Sequence, residues 1–338
     1  MPDLHSLELP DGYREGLPRS WQAWIDQLPE QVNSYLERWE LTAVGVLPLS
    51  HGYVVPVERA DGRACVLKIQ PTDVPEVEGA AERELLGLRL AGRVAVEVVE
   101  EDARNGVLLL ERVLPGNALD EMAERDDDAA TEALAMVIRD YGRSLDDPGS
   151  MGLRPIEELA EAFERFDRGP HGSVARRKAA DAAETRLSAV LGIDELGTAL
   201  PAIRSARETA ERVLGELLAD RSEPYLLHGD LHHGNVLVDE HRGLLVIDPW
   251  GLYGDRSADV APALHNPLEF VARTTDIDSL IRRRLAIYAE VLDVDKECLA
   301  AWCYAYNVIR ALWALEDSGE VSERDSDVRT VAALRHLI

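Results

Sequence analysis

Cysteine, basic residues and long apolar runs are all scarce in this chain, and each scarcity removes a class of protein. Only three cysteines occur in 338 residues, Cys65, Cys298 and Cys303. Their number is odd and their spacing fits neither a disulfide framework nor a zinc site. Cys65 lies in a strand-like run and reads as a small core residue. Lys and Arg total 36 against 63 Asp and Glu, for a formal net charge of -27. Such a balance repels the phosphates of nucleic acid and of anionic membranes, so neither is an expected partner. It favours encounter with a cationic small molecule, and it also serves solubility. No apolar run approaches a membrane span. The N-terminus shows no basic patch followed by an apolar stretch, so the expectation is a cytoplasmic protein with reduced thiols. The patterns GxxxxGK[ST] and GxSxG are absent, which argues against a P-loop and against a serine-hydrolase elbow. Neither an internal repeat nor a low-complexity linker is evident, and oligomeric state is not legible.

A chain of this length is long for one core and comfortable for two lobes. Residues 21–39 carry Trp, Leu and Tyr at helical spacing and predict a helix within an N-terminal extension, 1–40. Residues 41–113 turn strand-like. Runs at 41–49 and 53–58 lead to Ala60-Asp61-Gly62, a hairpin signal, and 64–69 forms the returning arm. A helix is expected at 76–91 with Gly92 as its stop, then strands at 94–99 and 106–111. After Pro115-Gly116 the composition favours helix, at 128–145, 156–166, 176–191, 203–219, 276–292, 296–315 and 327–337. Two short strands around Gly243 interrupt them. The expected architecture is α+β and two-lobed: a small antiparallel sheet lobe with one helix at 41–113, and a larger, mainly helical lobe at 114–338. Such a joint would leave a cleft for a nucleotide.

The most informative segment is Leu227-His228-Gly229-Asp230-Leu231-His232-His233-Gly234-Asn235, followed by the apolar run ending Val246-Ile247-Asp248. Phosphoryl transfer from a Mg-nucleotide needs a carboxylate to orient the attacking hydroxyl and oxygen ligands for the metal. The protein-kinase signature supplies them as an Asp, an Asn five positions later, and an Asp just past a strand. Asp230, Asn235 and Asp248 repeat that arithmetic. Lys68 alternates with buried residues in Cys65-Val66-Leu67-Lys68-Ile69, so it either snorkels to solvent or reaches a phosphate. A Glu on the following helix would complete a Lys–Glu ion pair. Glu84 is the expected partner, with Glu82 a competitor and Glu78 a poorer one. The loop Leu49-Ser50-His51-Gly52-Tyr53 could cover phosphates with its N–H groups and the Ser50 hydroxyl, or be an ordinary hairpin turn. His228, His232 and His233 invite a metal reading, but adjacent His232 and His233 point different ways in most backbones. Asp248 before Pro249 could also be a turn-initiating Asp, and Asp259 reads as a tether for the catalytic loop.

These segments, with Pro249, Gly254-Asp255 and Asp259-Val260-Ala261, resemble the aminoglycoside phosphotransferase family. Leu88-Arg89-Leu90-Ala91-Gly92, Leu109-Leu110-Glu111-Arg112-Val113 and Ala311-Leu312-Trp313-Ala314-Leu315-Glu316-Asp317 are similar to its streptomycin 6-phosphotransferase and hydroxyurea phosphotransferase branch. The likeness runs from about Val44 onward. It implies a protein-kinase-like fold with ATP and Mg as cofactors. It implies Asp230 as the residue orienting the substrate hydroxyl, and Asn235 and Asp248 as Mg ligands. Lys68 would sit on the phosphates, supported by Glu84, and the backbone of Glu111 and Val113 would lie at the adenine edge. The loop over the phosphates carries one glycine, Gly52, where the branch often has more. The implied acceptor is a small hydroxyl compound. It could be a cationic aminoglycoside such as streptomycin, with Glu316 and Asp317 as candidate partners unless they form a solvated helix end. Hydroxyurea, a sugar or a biosynthetic intermediate are alternatives, and resistance is not distinguished from metabolism. A nucleotide-binding pseudokinase scaffold is the reading from another class. The intact set Lys68, Asp230, Asn235 and Asp248 counts against it.

Overall fold

A computed structural model describes residues 21–45, 52–167, 199–219, 223–318 and 326–338. Ser50, the expected helix at 176–191 and the side chains of Glu316 and Asp317 lie outside the described residues. Contacts divide the chain into two compact units. The first holds the described residues up to Gly116 together with Asp239–Trp250; the second holds those of Asn117–Val238 and Gly251–Ile338.

In the first unit a five-stranded antiparallel sheet is built from β1 (Leu41–Ala43), β2 (Tyr53–Arg59), β3 (Ala64–Ile69), β4 (Val98–Asp102) and β5 (Val107–Glu111), in the order β1-β2-β3-β5-β4. The β2–β3 turn closes where Asp61-Gly62 predicts it, with Gly62 N–H donating to the Arg59 carbonyl at 2.9 Å. Successive strand residues face opposite sides, and this alternation sorts the sheet. Tyr53, Val55, Val57, Cys65, Leu67, Ile69, Val107 and Leu109 form one apolar face with Leu28, Val32 and Tyr35 of helix α1 (Gln22–Arg38). Cys65 is thus a core residue. Asp102 at the end of β4 fastens α1, accepting from Tyr35 Oη and Arg38 Nη1, each at 2.7 Å. Lys68, between Leu67 and Ile69, is left on the opposite face of the sheet.

Helix α2 (Ala80–Ala91) starts later than the sequence predicts. Pro75–Val77 forms a separate 3-10 turn, and Gly79 at φ 69° breaks the chain before α2 begins. The strand expected at 94–99 likewise begins only at Val98, because Gly92–Val94 makes a 3-10 turn. The strand Gly243–Val246 belongs to this unit, with Val246 O accepting from Val96 N at 3.1 Å.

The second unit is mainly helical. Its longest helix, Lys296–Ser318, packs against Ala199–Ala219, Ser326–Leu334 and Val260–Leu264. Asp127–Tyr141 packs against Ile277–Leu292. Between those two, the fully buried Arg284 gives its guanidinium to Asp127 (2.5 Å) and to the carbonyls of Leu264 and Asn266 (2.8 and 2.6 Å). A small sheet joins Tyr225–Leu227, Leu252–Gly254 and Arg154–Pro155. Among the described residues no helix is long and apolar enough to cross a membrane.

Candidate active site

Two groups of polar side chains, one in each unit, hold the residues that the motifs single out. In the first unit Lys68 is buried, and its Nζ donates to Glu84 Oε2 at 2.7 Å and to Asp248 Oδ1 at 2.9 Å. Of the three glutamates considered, Glu84 alone turns inward; Glu78 and Glu82 are exposed. Glu84 lies one turn into α2, on the buried stripe it shares with Ala81, Leu85 and Leu88. Asp248 reaches Lys68 from 180 positions further along the chain. Its backbone is left-handed, at φ 61°, a conformation that costs a non-glycine residue on the order of 1 kcal/mol or more and recurs at functional sites.

Charge balance makes this cluster tolerable in a buried setting. Burial pulls the Lys68 ammonium down, but the charges and hydrogen bonds of Asp248 and Glu84 outweigh it and hold the group above its usual range. Burial pushes the Glu84 carboxyl up, against the pull of Lys68. The ammonium has three N–H donors, and two go to carboxylates. Asp248 keeps about 30% of its side chain exposed. The sequence reading missed Gln70, whose Nε2 donates to the same Glu84 oxygen as Lys68. Its signal was available: Gln70 follows Lys68 by two residues and so shares its face of the strand.

At the end of β5, Glu111 N–H donates to the Glu97 carbonyl at 2.9 Å. Its carboxylate takes the Glu97 N–H at 2.7 Å and the Arg242 guanidinium. Val113 is buried, and its backbone N–H meets no acceptor among the described residues.

In the second unit the strand Tyr225–Leu227 delivers the loop His228–Asn235. Gly229, at φ 87°, makes a turn that a side chain would strain. Asp259 is buried beneath it, its two carboxylate oxygens accepting from His228 N–H and Gly229 N–H, each at 2.8 Å. Burial pushes this carboxyl up to about 7 against those two hydrogen bonds, with the charge of Asp230 adding to the rise. Tyr306 Oη reaches the Gly229 carbonyl at 3.4 Å. Within the loop, Asp230 N–H donates to His228 Nδ1 at 3.2 Å and Asn235 Nδ2 donates to the Asp230 carbonyl at 2.9 Å. The amide nitrogen of Asn235 is thereby spent on the loop, and its oxygen forms the other branch of the carboxamide.

The three histidines do separate things. His228 packs its ring on Tyr141. His232 Nδ1 caps Gly234 N–H at 3.0 Å, with its Nε2 3.7 Å from Asp230 Oδ2. His233 is fully buried, and burial holds it well below its usual value, in the neutral form. Among the described residues no cluster of three or more His, Cys, Asp or Glu could hold a metal ion. His265 is likewise buried, with Nδ1 on the Ala261 carbonyl at 3.1 Å, and burial pulls it down to about 3.

Comparison with known proteins then decides the family. Residues 38–318 match the family described as aminoglycoside/hydroxyurea antibiotic resistance kinase. The chain belongs to that family. It is a small-molecule phosphotransferase with an alcohol group as acceptor. Streptomycin 6-kinase of Streptomyces glaucescens is 32% identical over 335 residues, 97% of each chain. Hydroxyurea phosphotransferase of Kitasatospora aureofaciens is 33% identical, over 92% of this chain and 80% of its own. Among solved structures, a choline kinase from Streptococcus pneumoniae superposes with a TM-score of 0.58 at 16% identity, covering 93% of this chain and 100% of that one. Aminoglycoside phosphotransferase APH(4)-Ia gives 0.54 at 16% identity, covering 90% and 98%. These two share the fold, which is the α+β protein-kinase-like architecture expected from the sequence.

Proposed function

We propose that this kinase moves the γ-phosphoryl group of ATP, in the presence of Mg, to a hydroxyl of a small cationic alcohol of the aminoglycoside type, with streptomycin the first candidate. The observation that supports this best is the Lys68–Glu84–Asp248 cluster, in which the Lys68–Glu84 pair is buried. Lys68 and Glu84 lie 16 positions apart, and Asp248 joins them from 180 positions beyond Lys68. An ion cluster of this kind is weak as a source of stability, so its presence suits a chemical task. The full-length streptomycin 6-kinase relative and the net charge of -27 favour a cationic acceptor.

In this reading the Lys68 ammonium contacts the nucleotide phosphates, and Glu84 holds it in place. Asp230 orients the acceptor hydroxyl and receives its proton as the new O–P bond forms. The Asn235 carboxamide oxygen and the Asp248 carboxylate are hard oxygen donors that suit Mg. When bound, Mg would neutralise charge on the transferring group. The backbone of Glu111 and Val113 would meet the adenine edge, with the Val113 N–H, unpaired among the described residues, as a donor for a ring nitrogen. Because the transition state is loose, alignment and charge neutralisation carry the rate more than base strength at Asp230.

The test is mass spectrometry of streptomycin, hydroxyurea and a panel of sugars and amino alcohols incubated with the protein and Mg-ATP. A gain of one phosphate on streptomycin, with matching ADP, is the expected result. A gain on hydroxyurea alone would move the acceptor to the other relative's substrate, and no gain on any compound would defeat the reading.

A further inference from the structure

The side chain of Gln70 has no place in the motif arithmetic, yet it is tied to the same carboxylate as Lys68. Its backbone is pinned, Gln70 N–H donating to the Gly106 carbonyl at 2.8 Å. Its Nε2 donates to Glu84 Oε2, the oxygen that also accepts from Lys68. The orientation of the amide follows from chemistry: an ionised carboxylate beside a charged Lys can only accept, so the nitrogen must face it. Glu84 Oε1 and Gln70 Oε1 are both buried and have no hydrogen-bond partner among the described residues. One oxygen of Glu84 thus carries two donors and the other none. Glu84 would be free to turn about its last bond if Lys68 were its only partner; Gln70 removes that freedom. On the other side Gly52 closes over the pair. A Cβ there would stand 3.3 Å from Gln70 Cγ and 3.7 Å from Lys68 Cε.

We propose that Gln70 is a positioning residue for phosphoryl transfer: by fixing the Glu84 carboxylate it fixes the ammonium of Lys68. This inference rests on the functional reading above, which makes Lys68 the phosphate contact. The loss of such a supporting hydrogen bond to a group that holds a reactive ligand typically costs about 10–100-fold.

The experiment compares steady-state kinetics of the full-length wild type, Gln70→Met, Glu84→Gln and the double variant, with Mg-ATP and whichever acceptor the wild type phosphorylates. Met keeps the volume and removes the donor. The expected result is a drop of about tenfold in kcat/KM for ATP in Gln70→Met, an unchanged KM for the acceptor, and no further loss when Gln70→Met is added to Glu84→Gln. A purely structural role would lower the melting temperature and leave that pattern absent. Wild-type kinetics in Gln70→Met, or losses that multiply in the double variant, would overturn the inference while leaving the functional reading intact. If Gln70→Met does not fold, Gln70→Asn, too short to reach Glu84, must show the same selective loss for ATP or the inference is wrong. A wild type that phosphorylates no acceptor defeats the functional reading itself, and this inference with it.

Discussion

The two polar clusters are built on opposite principles. In the first unit Lys68, Glu84 and Asp248 sit together as charges, and each is tolerated because the others are present. In the second unit the loop bearing Asp230 and Asn235 is held by main-chain groups: two N–H donors on the Asp259 carboxylate, an imidazole cap from His232, and the Asn235 amide on the Asp230 carbonyl. Direct charge pairing gives a cluster that fails when any member leaves. Backbone capping fixes the shape of the loop without using the Asp230 carboxylate, whose Oδ2 lies 3.7 Å from His232 Nε2. On the proposed function, the first kind of support suits a group that grips a polyanion and the second a group that faces an acceptor.

The comparison can be broken by substitution, beginning with the largest effect. Asp248→Ala and Asp230→Ala should each lower kcat by on the order of 10³, with Asp248→Ala at least as damaging, as steady-state ADP release would measure. Near-normal turnover in Asp248→Ala would remove it from the site. Lys68→Met leaves two carboxylates in a buried setting without their cation. Denaturant unfolding should show a loss of about 3–5 kcal/mol; a variant as stable as wild type would mean the cluster is well solvated.

Asp259 gives the corresponding test in the second unit. Its folded pKa, about 7, lies above the unfolded value of 3.8, so between those values the native state binds the extra proton. Its contribution to stability is therefore present at low pH and is lost as pH rises from about 4 to about 7. The stability of wild type relative to Asp259→Asn, followed by urea unfolding across that range, should fall with rising pH. A difference that stays flat would show that Asp259 does not titrate there. The smallest effect is expected at Gly52, where a Cβ would meet the Ile69 carbonyl at 3.1 Å. Gly52→Ala should raise KM for ATP by about threefold, the equivalent of less than 1 kcal/mol, and leave the acceptor KM unchanged.

What could be read from the sequence depended on whether a residue's neighbours lie close in the chain. The alternation that buries Cys65, Leu67 and Ile69 on one face necessarily sends Lys68 to the other, and helical spacing brings Glu84 to the buried stripe of α2. The hairpin at Asp61-Gly62 is equally local. Other features depend on contacts that no local pattern encodes. Alternation puts Gln70 on the face of Lys68, but that its amide meets Glu84 emerges only from the fold. Motif spacing singles out Asp248 as a metal-site carboxylate, with a turn-initiating Asp as the alternative, but its left-handed backbone and its bond to Lys68 emerge only from the three-dimensional chain. The break at Gly79 has no local signal, because the apolar spacing runs on through it. His233 sits beside His232 in sequence, yet one is fully buried and the other partly open.

Calorimetric titration of ATP into wild type and Asp248→Ala, each with and without Mg, tests most directly whether the Lys68–Glu84–Asp248 cluster receives a metal-bound nucleotide. In wild type Mg should tighten ATP binding by at least about tenfold, 1.4 kcal/mol, and in Asp248→Ala that gain should vanish. An equal Mg dependence in the two proteins would contradict the account.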